Sequence, residues 1–287
     1  MKIIVMGANG LMGNEFRRVL PARETYFASR LDCDITDINS IRRYISGLNI
    51  NDDFTIINCA ANRDAERMEF DDYDVAKKIT VDGPHNLAVV ANEMGGRLIH
   101  FTSDYVFDGT KNTPYLESDK TNGLSVYGRL KVCSEQDLLA TANNVIIIRP
   151  AWIFSSYGKD FVKTIYKLGQ TRPELHVVYD QVGSPTYGAD LAKYIAQIIP
   201  QIKQNTREIY HLTNEGVCSW YDMACAVKQN CDLPCEIIPV RSHEYQQNAR
   251  RPSYSVLDKS KIKRDFNLCI RHYSDALKEC CEQIKGK

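Results

Sequence analysis

The stretch that decides the fold is Lys2-Ile3-Ile4-Val5-Met6-Gly7-Ala8-Asn9-Gly10-Leu11-Met12-Gly13. Lys2–Met6 is an apolar run ending at Gly7, and the helical pattern over Met12–Leu20 is stopped by Pro21. Glycines between a strand and a helix let the backbone turn sharply and approach a pyrophosphate. The helix behind them offers unpaired N–H groups and the positive end of its dipole. Glycines alone say little. Set directly after a strand, these mark a dinucleotide site at Gly7, Asn9, Gly10, Leu11, Met12 and Gly13.

Outward from the loop, strand and helix patterns alternate. Glu24–Ala28 reads as a second strand, and Asp37 as the cap of a helix carrying Ile38, Ile41 and Ile45. Phe54–Ala60 is a buried-type strand followed by a helical stretch from about Asp74 to Met94. A strand at Arg97–Thr102, a helix at Tyr127–Ala140 and a strand at Val145–Arg149 complete the series. Such alternation implies crossover connections and an α/β, Rossmann-type doubly wound parallel sheet covered on both faces. Beyond it, Leu175–Tyr179, Glu208–Leu212 and Cys235–Val240 are short strand candidates, and His272–Ile284 is a final helix. This predicts a dinucleotide-binding domain over 1–153, extended by about 186–230, and a smaller discontinuous α/β substrate lobe from 154–185 and 231–287.

Composition narrows the function classes. The 287 residues carry 36 Lys plus Arg against 36 Asp plus Glu, without the basic excess of a nucleic-acid binder. No apolar run approaches the roughly 20 residues that span a bilayer, and Met1–Gly7 is too short for a signal peptide, so a cytoplasmic location without a membrane partner is expected. Ten cysteines raise the question of disulfides or a metal. A chain of this length needs no staples, and neither Cys231/Cys235 nor Cys280/Cys281 forms half of a Cys-x-x-Cys clamp pair. Reduced thiols packed as small hydrophobes are expected, with no structural metal.

Two further places carry chemistry. At the end of the second strand an acid would bind a ribose 2′-hydroxyl and repel a 2′-phosphate. Ser29-Arg30 stands there instead, which favours NADPH and leaves NADH open, since Arg30 also suits a plain surface charge. Tyr127 and Lys131 lie four residues apart, on one face of a helix. A phenol titrates near 10, and a neighbouring ammonium favours its phenolate, which suits it to donate a proton near neutral pH. With Ser103 at the end of the preceding strand, the three residues form a carbonyl-reducing constellation.

The Gly-x-x-Gly-x-x-Gly spacing resembles the short-chain dehydrogenase/reductase superfamily, and longer strings sharpen the resemblance. Phe101-Thr102-Ser103-Asp104-Tyr105-Val106-Phe107-Asp108-Gly109 and Val126-Tyr127-Gly128-x-x-Lys131 are similar to the dTDP-4-dehydrorhamnose reductase family. Further matches are Asn58-Cys59-Ala60-Ala61, Arg149-Pro150-Ala151-Trp152, Gln181–Thr186, Ser219–Asp222 and Ala249–Ser255, so the similarity runs from residue 1 to about 265.

The resemblance implies reduction of the C4 keto group of a nucleotide-linked 4-keto-6-deoxy sugar, dTDP-4-dehydrorhamnose to dTDP-rhamnose. Tyr127 would protonate the C4 alkoxide, Lys131 would hold the nicotinamide ribose, and Ser103 would polarise the carbonyl. Asp34 and Ile35 would border the adenine, with Cys59, Ala60 and Ala61 also against the cofactor. Asp104 and Tyr105 would meet the substrate. Trp152 is either a pocket wall or a core residue, and Arg250 or Arg251 either pairs with the diphosphate or is a surface charge.

Some departures and rivals remain. Where the family continues with an aromatic or His residue and then Thr-x-Val-Asp, this chain has Asn62-Arg63-Asp64-Ala65-Glu66, and Thr80 replaces a frequent asparagine. The first of these changes bears on the sugar more than on the chemistry. Some family members dimerise through Mg2+ held by carboxylates. Glu15 and Asp190 occupy matching positions, no C-terminal ligand is identified, and neither the metal nor the homodimer is assigned. The rival readings are a nucleotide-sugar epimerase or dehydratase and a non-catalytic regulatory subunit resembling the methionine adenosyltransferase beta subunit. Ser103 is followed by Asp104-Tyr105 without the glutamate common in dehydratases.

Overall fold

The computed structural model describes residues 1–50, 53–62, 64–70 and 73–286. In chain order β1 (Lys2–Met6), α1 (Leu11–Val19), β2 (Thr25–Ala28), α2 (Ile38–Gly47) and β3 (Phe54–Asn58) form the first half of a sheet domain. Short α3 (Ala65–Met68) and α4 (Tyr73–Lys77) lead to α5 (Gly83–Glu93), β4 (Arg97–Phe101), α6 (Val126–Thr141) and β5 (Val145–Arg149). Then come β6 (Ile153–Phe154), α7 (Phe161–Gly169), β7 (Glu174–Val178), β8 (Val182–Gly183), β9 (Thr186–Tyr187), α8 (Gly188–Ile198) and β10 (Arg207–His211). The chain closes with β11 (Cys218–Ser219), α9 (Trp220–Cys231), β12 (Glu236–Val240), α10 (Ser260–Phe266) and α11 (Tyr273–Lys285).

Six strands pair in the order β10-β5-β4-β3-β1-β2, all parallel. β3, β4 and β5 are buried along their whole length, which is why they read as continuous apolar runs rather than alternating ones. The alternation survives as a choice of face. Ile3 and Val5 pack towards α1 and α8 with Phe16, Leu191 and Ile195, whereas Ile4 and Met6 pack towards α2, α5 and α6 with Ile41, Leu87 and Leu138. The strand order reverses at β1, between β2 and β3. A crevice therefore opens beyond the carboxyl ends of β1 and β3, where Gly7 and Cys59 lie.

The helical stretch expected from about Asp74 to Met94 runs over residues 73–93, with a π-helical turn at Lys78–Asp82 within it. Pro84 has no N–H to donate to the carbonyl of Thr80, and its ring crowds that carbonyl, so the wider turn relieves both problems. One correction concerns packing. Residues 220–230, expected with the sheet, lie in α9. Its Met223, Ala224 and Val227 belong to a second core with Val162, Leu175, Leu277 and Ile284. Conversely, Ile262, Phe266, Leu268 and Ile270 pack into the sheet's own core. Cys218, Cys231, Cys235, Cys280 and Cys281 are buried in the second core as small apolar side chains. Among the described residues, no helix is long and apolar enough to cross a membrane.

Candidate active site

The glycine loop is shaped for close approach. Gly7 has φ +75°, and a Cβ there would stand 2.6 Å from Ala60 N. A Cβ at Gly13 would lie 2.3 Å from Ala8 O, so only glycine lets α1 pack this tightly on the loop. Gly10 caps α1 without a side-chain hydrogen bond, and the first turn holds no acid. The first-turn N–H groups of Leu11, Met12 and Gly13 have no acceptor within the helix. They offer an anion site through the backbone, while the side chains of Leu11 and Met12 turn into the core.

A cleft of about 510 Å³ opens here, lined by Gly7, Asn9, Gly10, Ser29, Arg30, Asp34, Ile35, Cys59, Ala60 and Ala61. Leu31, Cys33, Thr36, Asn62 and Ile79 also line it. No spacing rule singles out these last five, which arrive as neighbours of the others. The Ser29 hydroxyl is not free for a phosphate, because it donates to Asp32 Oδ2 at 2.6 Å. Arg30 is 81% exposed at the rim, with Nε 3.6 Å from Asp34 Oδ2.

Ser103 and Tyr127 line a second cleft of about 840 Å³. Ser103 follows β4 and caps a 3-10 turn at Asp104–Val106, its hydroxyl accepting from Tyr105 N. Tyr127 and Lys131 stand on α6, which Ser125 caps by accepting from Gly128 N. Gly128 matters: a Cβ there would lie 2.4 Å from Tyr105 O. The glycine of Tyr-Gly-x-x-Lys thus brings the helix against the Ser103 turn. The Tyr105 and Tyr127 rings meet edge to face at 5.7 Å. Lys131 Nζ lies 5.7 Å from the Tyr127 ring centre and donates to Phe101 O at 3.0 Å. Burial lowers the Lys131 ammonium to about 8, with Glu135 one turn along opposing the shift. Asp104, also on this wall, is pushed up by burial to about 6, against hydrogen bonds from Ser255 and Ser103.

The opposite wall is aromatic. Trp152, held at φ +49°, stacks on Trp220 with ring centres 3.6 Å apart and planes 9° from parallel, and Phe161 packs behind Trp220. Gly183 makes room, since a Cβ there would be 2.8 Å from the Trp152 ring. Trp152 is therefore a pocket wall; Trp220, within the matching Ser219–Asp222 string, joins it there. Of the two arginines, Arg250 is exposed and outside this lining, while Arg251 lines the cleft and pairs with Glu66 at 2.8 Å. Asp64, Ala65 and Glu66 line it too, and Arg63 lies outside the described residues. Thr80 is buried in the π-helical turn with its hydroxyl unpaired.

Glu15 and Asp190 do not suit a Mg2+ ion. Glu15 accepts from the Ser155 hydroxyl at 2.5 Å and faces Arg18 at 3.5 Å. Asp190 accepts from Asn214 Nδ2 and Arg271 Nε, each at 2.7 Å. A guanidinium thus already faces each carboxylate that a hard cation would need as a ligand. Among the described residues, no three His, Cys, Asp or Glu side chains gather at metal-ligand spacing.

Comparison with known proteins agrees with this geometry. The family model described as RmlD substrate binding domain matches residues 1–285. The chain is 33% identical to the spore coat polysaccharide biosynthesis protein SpsK of Bacillus subtilis, over 98% of this chain and 97% of that one. It is 34% identical to a dTDP-4-dehydrorhamnose reductase of Aggregatibacter actinomycetemcomitans, over 96% and 97%. The solved structure of the dTDP-4-dehydrorhamnose reductase of Bacillus anthracis in complex with NADP superposes with a TM-score of 0.91 at 31% identity, covering 98% of this chain and 99% of that one. With the family model matched over residues 1–285 and a reductase 34% identical over 96% of this chain, the chain belongs to the dTDP-4-dehydrorhamnose reductase (RmlD) family.

Proposed function

We propose that the protein is an NADPH-dependent reductase that converts dTDP-4-dehydrorhamnose to dTDP-rhamnose. The observation that carries this reading is the placing of Ser103 and Tyr127 in a large aromatic-walled cleft beside a glycine-lined dinucleotide cleft. The first cleft fits NADPH: Gly7 and the open N-terminus of α1 suit the pyrophosphate, and Arg30 stands where a 2′-phosphate would emerge. When bound there, NADPH supplies the hydride.

The chain's own residues do the rest. Lys131 holds the nicotinamide ribose and, beside the Tyr127 ring, favours the phenolate left when Tyr127 gives its proton to the oxygen at C4. Ser103 donates a hydrogen bond to the same oxygen and polarises the carbonyl. The lobe built on the second core binds the sugar nucleotide, with Trp152 and Trp220 as its flat wall and Arg251 near the diphosphate. Asp64, Ala65 and Glu66, at the segment that departs from the family pattern, face the sugar.

The test is oxidation of NADPH and NADH with a panel of nucleotide-linked 4-keto-6-deoxy sugars. Turnover with dTDP-4-dehydrorhamnose, faster with NADPH than with NADH, is the expected result. Cofactor binding without turnover of any sugar would replace this reading with the regulatory one. The aromatic wall gives a smaller prediction. Trp220→Leu should raise KM for the nucleotide sugar about two- to tenfold, the range an aromatic pair contributes, and change kcat less. An unchanged KM would remove Trp220 from the binding surface.

A further inference from the structure

We propose that Ser255 is a positioning residue for this reduction, acting on the Ser103 hydroxyl through the Asp104 carboxylate. The inference rests on the reductase reading above. Ser103 Oγ donates to Asp104 Oδ1 at 2.8 Å, and Ser255 Oγ donates to Asp104 Oδ2 at 2.6 Å. All three residues are buried, and Ser255 is separated from Asp104 by 151 positions in sequence.

A serine hydroxyl has a single proton. In the arrangement observed, that of Ser103 points at Asp104 and not into the cleft. To polarise a carbonyl, Ser103 must turn the proton away from a buried carboxylate. Burial raises Asp104 to about 6, yet both of its oxygens accept from a hydroxyl, the pattern of an ionised carboxylate, and hydrogen bonds to an anion are roughly twice as strong as neutral ones. A carboxylate with Ser103 as its sole side-chain donor would keep the proton. The second donor, Ser255, keeps the anion satisfied while Ser103 turns to the substrate.

The position of Ser255 is fixed on both sides. Its N–H donates to Val182 O, and Val182 N donates to Ser253 O, both at 2.8 Å. One residue on, Val256 O accepts from Tyr115 N at 2.8 Å. Pro252 lies so close to Gly109, at φ +77°, that a Cβ there would be 2.8 Å from Pro252 Cα. This strap holds the Ser255 hydroxyl against Asp104 with little freedom to move. The Ala249–Ser255 segment thereby has a use in the chemistry, beyond presenting Arg251 to the cleft.

The test is a double-mutant cycle on the full-length enzyme: Ser255→Ala, Ser103→Ala, the double variant and the unsubstituted protein, with NADPH and the keto sugar that the latter reduces. Ser255→Ala should lower kcat about five- to tenfold, the scale of one hydrogen bond, and leave KM for NADPH within about twofold. In the Ser103→Ala background the same substitution should cost less than about twofold, because the group it acts through is gone. Equal losses in both backgrounds, or an unchanged kcat in Ser255→Ala, would overturn the inference while the reductase reading stands. Absence of turnover by the unsubstituted enzyme would overturn both. If Ser255→Ala does not fold, the near-isosteric, weaker donor in Ser255→Cys is read in the same way.

Discussion

Tyr127→Phe is expected to cut turnover by about 10²- to 10⁴-fold, the range in which a positioned general acid contributes, while NADPH affinity stays within about threefold. The substitution removes one oxygen. The ring keeps its edge-to-face contact with Tyr105 and its place beside Lys131. The Ser125 cap and the close approach at Gly128 belong to the backbone of α6 and are untouched. The glycine loop and the rest of the first cleft's lining are untouched, so most of the dinucleotide's contacts remain. What disappears is the proton donor, and Ser103 can still polarise the carbonyl without completing the reaction. Steady-state rates and a fluorescence titration with NADPH separate the two effects. A variant within tenfold of full activity would show that the proton comes from elsewhere.

Much of this site was legible in the sequence because its geometry is local. A strand, a tight turn and a helix are adjacent in the chain, so Gly7–Gly13 declared the dinucleotide cleft without tertiary information. Tyr127 and Lys131 share a helix face by their spacing alone. The strand at Val145–Arg149 was found to the residue, because a strand covered on both faces must be apolar throughout. What escaped depends on distant packing. Trp220 reaches Trp152 only through the fold of the second lobe, and Ser255 reaches Asp104 across 151 positions. Whether Arg250 or Arg251 faces inward is a matter of which way the strap runs, and neighbouring residues in an extended segment point to opposite sides. The π-helical turn escaped for another reason: hydrophobic spacing continues through it, and Pro84 alone marks the break.

Arg149→Met is expected to destabilise the protein by about 3–5 kcal/mol, the loss that follows when one partner of a buried ion pair is removed. Arg149 and Glu135 side chains are 2% and 4% exposed, and their contact is bidentate, with Nε and Nη2 at 2.8 and 2.6 Å from the two carboxylate oxygens. Thr102 Oγ1 donates to the same carboxylate at 2.6 Å. Arg149 also lies 3.3 Å from His211 Nε2, and burial, then this guanidinium, lower His211 to about 3; burial, the larger cause, remains when the guanidinium is removed. With Arg149 gone, Glu135 is left as an uncompensated anion in the core. Arg149→Met/Glu135→Leu should therefore recover most of the lost stability, since two apolar groups of similar size replace the pair. Activity should not recover in step. Glu135 sits one helical turn from Lys131 and opposes the burial that lowers the lysine's pKa, so without it Lys131 loses its proton at lower pH. Because the ammonium is the working form, the alkaline fall in turnover should move to lower pH in the double variant. Urea denaturation gives the stabilities, and pH–rate profiles give the shift. A loss below about 1 kcal/mol in Arg149→Met would place the pair with solvent-screened surface bridges, and a double variant with an unshifted profile would separate Glu135 from the chemistry.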